Sequence, residues 1–255
     1  MREDIKIIFE DNHLLVVSKP PFVPVQADES GDEDMLSALK GYLVEKYNKP
    51  GEAYLGLVHR LDRPTGGVMV FAKTSKAAAR LSEAVKAGDV EKKYLVIVHG
   101  CPREKSKKVI NYLKKYPDQN IVKIVPELTE GAKYAELDYK VLDTKEDMSL
   151  LSVDLITGRS HQIRVQMNGL GHPVVGDARY GKDGAKIPLC LWAAELRFSH
   201  PVGGQRLVFK VYPPEDLPFW NLFDIDRYMR INIKSPAYSE AGIDLLDTFF
   251  DGTKE

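Results

Sequence analysis

Short apolar runs open this chain. Ile5–Phe9 and Leu14–Ser18 read as two strands joined by a turn at Asp11-Asn12. The segment PPFVPVQADESGDED is Pro-rich, then acidic, and predicts an exposed loop. Residues 35–47 then place Met35, Leu36, Leu39, Tyr42, Leu43 and Tyr47 at helical spacing. Val68–Ala72 predicts a buried strand, followed by a helix capped by Thr74 or Ser75. Beyond it the period falls to two. Tyr94–Val98, Ile121–Val125, Tyr134–Leu142, Leu150–Ile156 and Gln205–Tyr212 are candidate strands, the last stopped by Pro213-Pro214. ITGRSHQIRVQMNGLGHP predicts a turn and a short helix beginning near Ser160. Adjacent strands with few βαβ alternations predict an α+β chain on a mixed, mostly antiparallel sheet. The main domain is expected over residues 1–220. An acidic C-terminal extension over 221–255, containing Phe249 and Phe250, is either a docked helix or a loose end.

Composition narrows this picture. At 255 residues with 44% hydrophobic and 29% charged content, the chain can bury a core without staples. Two cysteines, Cys101 and Cys190, exclude a disulfide-dense scaffold and any four-cysteine metal site, and both read as small buried hydrophobes. The opening MREDIKIIFEDNHLLVV mixes charges into its apolar residues, so neither a signal peptide nor a membrane span is expected there. A cytoplasmic, non-membrane protein is the expectation. The net charge of −1 hides an uneven distribution: residues 57–125 carry fifteen Lys/Arg against six Asp/Glu. Such a basic stretch permits an RNA partner, and equally suits a solvated lysine-rich face.

Two segments concentrate chemistry. In HRLDRPTGG, His59 to Gly67, Asp62 stands between Arg60 and Arg63, which would favour its ionised form. That suits a nucleophile or base, and it also suits an Asp that merely closes a turn. In TGRSHQIR, Thr157 to Arg164, a helix from Ser160 would bring Arg164 beside the Ser160 side chain. A buried Arg164 would need a carboxylate, and Asp62 is the natural candidate; the alternative is a surface arginine. His161, His172 and Asp177 invite a metal reading, but no HExxH or His-x-His pair accompanies them, and no metal site is expected. Neither a Walker loop nor a GxGxxG follows a strand, so no nucleotide cofactor is expected.

These segments together resemble the RluA family of RNA pseudouridine synthases. The likeness rests on HRLDRPTGG, with Gly66 where the family usually has serine, on KKYLVIVHG from Lys92, and on LITGRSHQIR followed by GHPVVGDARY. The opening VVSKPPFVPVQ is similar to the family's N-terminal Lys-Pro element. The resemblance runs from about residue 14 to 214 and implies a stand-alone catalytic domain with the pseudouridine synthase fold: two lobes and a cleft between them.

It implies an isomerase that needs no cofactor, acting as a monomer on structured RNA, either tRNA or ribosomal RNA. In such enzymes the uridine N-glycosidic bond breaks, and the base rotates and reattaches through carbon 5. Asp62 would be the catalytic carboxylate, attacking the sugar, attacking the base, or removing a ribose proton. Arg164 would be its ion-pair partner. Tyr94 would stack on the base and help remove the carbon-5 proton, and Arg60 would fill the gap left by the flipped uridine. His59, Arg159, His161, Gln162, Lys73, Lys76 and Lys93 are the expected substrate contacts. Arg80, Lys92, Arg103, Lys105, Lys107 and Lys108 are further phosphate candidates. Two other readings compete: an RNA-binding or RNA-folding module without turnover, and a hydrolase using His59 or His161 with Asp62.

Overall fold

The computed structural model describes residues 4–181, 183 and 187–230 in full, with the backbone of 243 and 244. The chain begins with β1 (Lys6–Glu10), β2 (Leu14–Lys19), α1 (Met35–Lys46), β3 (Gly56–Leu57), β4 (Gly66–Ala72) and α2 (Ser75–Ala87). It continues through β5 (Glu91–His99), β6 (Ser106–Tyr116), β7 (Ile121–Val125), β8 (Lys133–Lys145), β9 (Met148–Leu155) and α3 (Gln162–Gly169). Last come β10 (Leu191–Ser199), β11 (Arg206–Lys210), α4 (Ile225–Arg230) and β12 (Ile243–Asp244). All the strands join one sheet, whose main path runs β1-β2-β4-β10-β5-β9-β8-β6-β7. Among the described residues only β4 and β10 pair in parallel, and every other strand pairing is antiparallel. The expected α+β class with a mixed, mostly antiparallel sheet is what the chain forms.

Alternation along the strands builds the layers. On β2, Leu15 and Val17 enter the core under α1, while Leu14 and Val16 face α2. On β5, Tyr94, Val96 and Val98 share the α1 and α3 side, whereas Leu95 and Ile97 pack behind the sheet with Trp192, Trp220 and Phe223. Helix α1 starts where the buried Asp34 accepts a hydrogen bond from Ser37 N, and α2 where Thr74 accepts one from Ala77 N. α2 ends at Gly88, whose φ of 84° suits a residue without a Cβ.

Several sequence expectations change. β6 and β10 were not anticipated. β6 is an eleven-residue, lysine-rich strand whose buried residues are Val109 and Leu113. It holds its place by pairing with β7 and β8, not by its own hydrophobicity. β10 is the central seam, parallel to β4 at Trp192 and Ala193 and antiparallel to β5. The seam tolerates no side chain at its first two positions: a Cβ on Gly66 would lie 2.1 Å from Trp192 Cζ3, and one on Gly67 2.2 Å from the Ala193 carbonyl. The helix expected from Ser160 starts at Gln162 instead, because His161 adopts φ 53° and breaks the helical path ahead of it. Cys190 is buried, but Cys101 is exposed, lying in the loop after β5 where no apolar neighbour layer covers it. The boundary expected at residue 220 falls inside packed structure: Phe223 and Met229 join Trp220 in the core behind the sheet. Phe249, Phe250 and most of the acidic tail lie outside the described residues. No described helix is long and apolar enough to cross a membrane.

Candidate active site

Beside the seam lies a cleft of about 510 Å³, within the size range of small-molecule sites. HRLD supplies one wall, Lys92 and Tyr94 of β5 the floor, and the turn of residues 158–164 the opposite wall. The two motif segments, about a hundred residues apart, therefore meet. Asp62 Oδ2 accepts a hydrogen bond from Arg164 Nη1 at 3.3 Å. The Asp62 side chain is 26% exposed, and its Oδ1 has no hydrogen-bond partner among the described residues. One carboxylate oxygen is thus anchored and the other is open to the cleft.

Arg164 itself is held mainly by a residue that sequence reasoning placed elsewhere. Its Nε and Nη2 donate to the two oxygens of Asp177, each at 2.7 Å, and Asp177 is fully buried. Such a bidentate pair fixes the guanidinium plane. Burial pushes the Asp177 carboxyl up, but Arg164 and the backbone N–H groups of Tyr180 and Arg179 outweigh it and hold the carboxyl below its ordinary range. Burial works against the Arg164 charge too, and Asp177 and Asp62 more than restore it. Arg164 also lies over the Tyr180 ring, 5.1 Å from its centroid. Asp177 therefore neutralises Arg164 while its Oδ1 also caps the turn that follows it, accepting from Arg179 N and Tyr180 N. The signal available in the sequence was the need of a buried arginine for more than one partly exposed carboxylate. Among the described residues no group of three or more His, Cys, Asp or Glu is placed to hold a metal.

The turn that carries Asp62 is pinned from below. Thr65 N donates to the Asp62 carbonyl at 2.9 Å. Lys19, fully buried, donates to the carbonyls of Pro20, Arg63 and Thr65 at 3.0, 3.0 and 2.7 Å. Burial drives the Lys19 pKa down to about 7, opposed by the Asp62 charge. Arg63, at the cleft lining, donates to the Phe22 carbonyl and pairs with Asp28 and Asp32 of the acidic loop. Lys19 went unassigned in sequence, although it lies in the Lys-Pro element.

Tyr94 is buried on the cleft floor, where burial and then the Asp62 charge raise its pKa strongly. It is held as a phenol at neutral pH and not as a standing base. Arg60 is exposed at the cleft wall, and Arg159 is also there, with its Nε donating to the Tyr134 carbonyl. His161 faces the cleft and is hydrogen-bonded through Nδ1 to the Tyr180 hydroxyl at 2.7 Å; burial lowers its pKa.

The remaining expected contacts have other work. His59 Nε2 accepts the Val70 N–H at 3.0 Å, and burial, reinforced by Lys92, pushes its pKa down to about 4. With one nitrogen engaged and protonation disfavoured, His59 braces β4. His59 is therefore not placed to act as the base the hydrolase reading needs. Gln162 is buried, its Oε1 accepting from Thr157 Oγ1 and Arg159 N and its Nε2 donating to the Glu136 carbonyl, so its amide organises the turn instead of meeting a ligand. Lys73 donates to Glu10, Tyr47 and the Asp11 carbonyl, and its side chain is only 12% exposed, which removes it from phosphate contact. Lys93 points away from Tyr94, because neighbours on a strand alternate, and pairs with Asp154 at 3.0 Å. Lys76 is exposed on α2, outside the cleft lining. His172 Nδ1 donates to the His99 carbonyl at 2.9 Å, in a turn.

Comparison with known proteins assigns the family of this fold and its carboxylate–guanidinium cleft. Residues 13–169 match the family model of RNA pseudouridylate synthase. An uncharacterised RNA pseudouridine synthase of Bacillus subtilis is 34% identical over 218 residues, covering 84% of this chain and 74% of the relative. Ribosomal large subunit pseudouridine synthase C of Buchnera aphidicola is 32% identical, covering 85% of this chain and 69% of the relative. Synthase D of Zymomonas mobilis is also 32% identical, covering 84% and 70%. Among solved structures, human RNA pseudouridylate synthase domain containing 4 superposes with a TM-score of 0.70 at 26% identity, over 82% of this chain and 89% of that one. The chain belongs to the RNA pseudouridine synthase family and is an isomerase of RNA uridines. Asp177 and the seam strand β10 lie beyond the matched residues.

Proposed function

We propose that this enzyme converts uridines of large-subunit ribosomal RNA to pseudouridine, with Asp62 as its catalytic carboxylate. The observation that carries the reading is the asymmetric Asp62 carboxylate: one oxygen on Arg164, the other open above Tyr94 in the cleft. The ribosomal substrate is suggested by the names of the synthase C and D relatives.

The chemistry balances without a redox partner. The C1′–N1 bond breaks, C1′ bonds to C5, the C5 proton leaves, and N1 ends protonated. In this reading Tyr94 stacks on the freed base while it turns, and the ionised Asp62 is the neighbouring group able to receive a proton. Arg60 occupies the gap from which the uridine is flipped. The enzyme acts as a monomer, since one chain supplies both walls of the cleft, and works in the cytoplasm with the RNA it modifies.

The test uses unmodified large-subunit ribosomal RNA and tRNA transcripts with wild type and Asp62→Asn, followed by pseudouridine mapping. Wild type should convert defined ribosomal positions; Asp62→Asn should convert none while melting within a few degrees of wild type. Conversion by Asp62→Asn would remove the carboxylate from its role. Conversion confined to tRNA would replace the substrate.

A further inference from the structure

Around the cleft nearly every cation has a partner in the protein. Arg164 is paired with two carboxylates, Arg63 with two others, and Lys19 with three carbonyls. Arg60 and Lys115 have no ion pair but are exposed, so water solvates them. Lys92 differs from all of these. It lies two residues before Tyr94 on β5, so alternation turns both side chains to the cleft, and both line it. It is only partly exposed, and its ammonium has no hydrogen bond or ion pair among the described residues. On the opposite wall, a Cβ built on Gly158 would stand 3.8 Å from Nζ.

A half-buried ammonium without an acceptor is unfavourable in the free protein. Burial alone depresses its pKa, and no carboxylate lies close enough to offset that. The same charge is felt across the cleft wall by His59. A cation left unpaired beside a catalytic carboxylate is completed by an anion that arrives with the substrate. RNA carries one such group per nucleotide.

We propose that Lys92 is the phosphate-binding residue of the cleft, its ammonium pairing with a backbone phosphodiester next to the nucleotide that enters the site. The inference rests on reading the cleft as an RNA site. It separates Lys92 from Lys93, its neighbour in sequence, which faces away and is already paired with Asp154.

The test compares wild type, Lys92→Met, Lys92→Arg and the distant surface variant Lys145→Met. Binding of a fluorescein-labelled oligouridylate of roughly ten nucleotides is titrated across a salt series, and each variant is melted. Lys92→Met should bind about tenfold more weakly. Its log–log salt slope should fall by about 0.7, the value of one single-strand phosphate contact. Its Tm should equal or exceed that of wild type, because an unpaired charge has been removed. Lys92→Arg should keep most of the slope, and Lys145→Met all of it. An unchanged slope in Lys92→Met overturns the proposal. So does a lowered Tm, which would mean that the ammonium is paired within the folded protein. Turnover of ribosomal transcripts by wild type is scored separately: turnover with an unaltered Lys92→Met slope sinks this inference alone, whereas absent turnover sinks the functional reading.

Discussion

At the scale of single residues, the site depends on how one guanidinium is shared. Arg164 gives two short hydrogen bonds to Asp177 and one longer bond to Asp62. The strong pair fixes the arginine, and the weak one leaves the Asp62 carboxylate oriented but available. Asp177→Asn removes the charge that neutralises a buried cation, which costs about 3 kcal/mol. Urea denaturation should show that loss. Turnover should fall as well, because Arg164 would turn toward Asp62 and cover it. A variant that keeps wild-type stability would show that Asp62 alone satisfies Arg164. Asp62 and Arg164 were legible as a candidate pair from charge and motif. Asp177 was not, because its neighbour relation to Arg164 is made by the turn after α3 and not by helical spacing.

At the scale of elements, the turn bearing Asp62 feeds directly into the seam of the sheet. Gly66 replaces the serine usual in the family, and the structure gives the reason: Trp192, buried on β10, fills the space a side chain would need. The indole is further fixed by its Nε1 bond to the Val211 carbonyl at 2.8 Å. Gly66→Ser should therefore destabilise by about 3 kcal/mol through overpacking. Adding Trp192→Leu should recover part of the loss, so the double variant is more stable than the two single effects summed. Additive losses would mean that the two residues do not compete for space. β5 shows the same dependence on neighbours. Its sequence announced a strand, but which of Lys92 and Lys93 meets the cleft depends on the face that α1 and α3 cover. β6 and β10 escaped notice because their lysines and alanines mask the period that sheet pairing imposes.

At the scale of the whole molecule, one ion-pair cluster ties the N-terminal strand to the body. Glu10, at the end of β1, meets Tyr42 and Lys46 of α1, Tyr47, and Lys73 just past β4. Burial raises the Glu10 pKa, yet hydrogen bonds from Lys46, Lys73, Tyr47 and Tyr42 bring it down from 4.5 to about 2. A carboxyl with a depressed folded pKa stabilises fully above its unfolded pKa and loses that contribution as pH falls through the folded one. Between about pH 4.5 and 2 the protein should lose about 2 kcal/mol from this cluster, allowing for its partial solvent screening. Glu10→Gln should be less stable at neutral pH and show a flatter acid limb in pH-dependent denaturation. An acid limb unchanged from wild type would assign the loss to other carboxyls.

Local pattern by itself determined most strands, two of the helices with their starting regions, the α+β class, and the candidate residues Asp62 and Arg164. Each is set by periodicity or by chemistry within a few neighbouring residues, and these survive in a linear string. Only the tertiary structure decided which groups are already partnered. It engaged Lys73, Lys93, His59 and Gln162 inside the protein, gave Arg164 to Asp177, and left Lys92 without an anion. Partnership between charges is a matter of distances across the sheet and of burial, and residues far apart in sequence become neighbours only when β10 closes the seam.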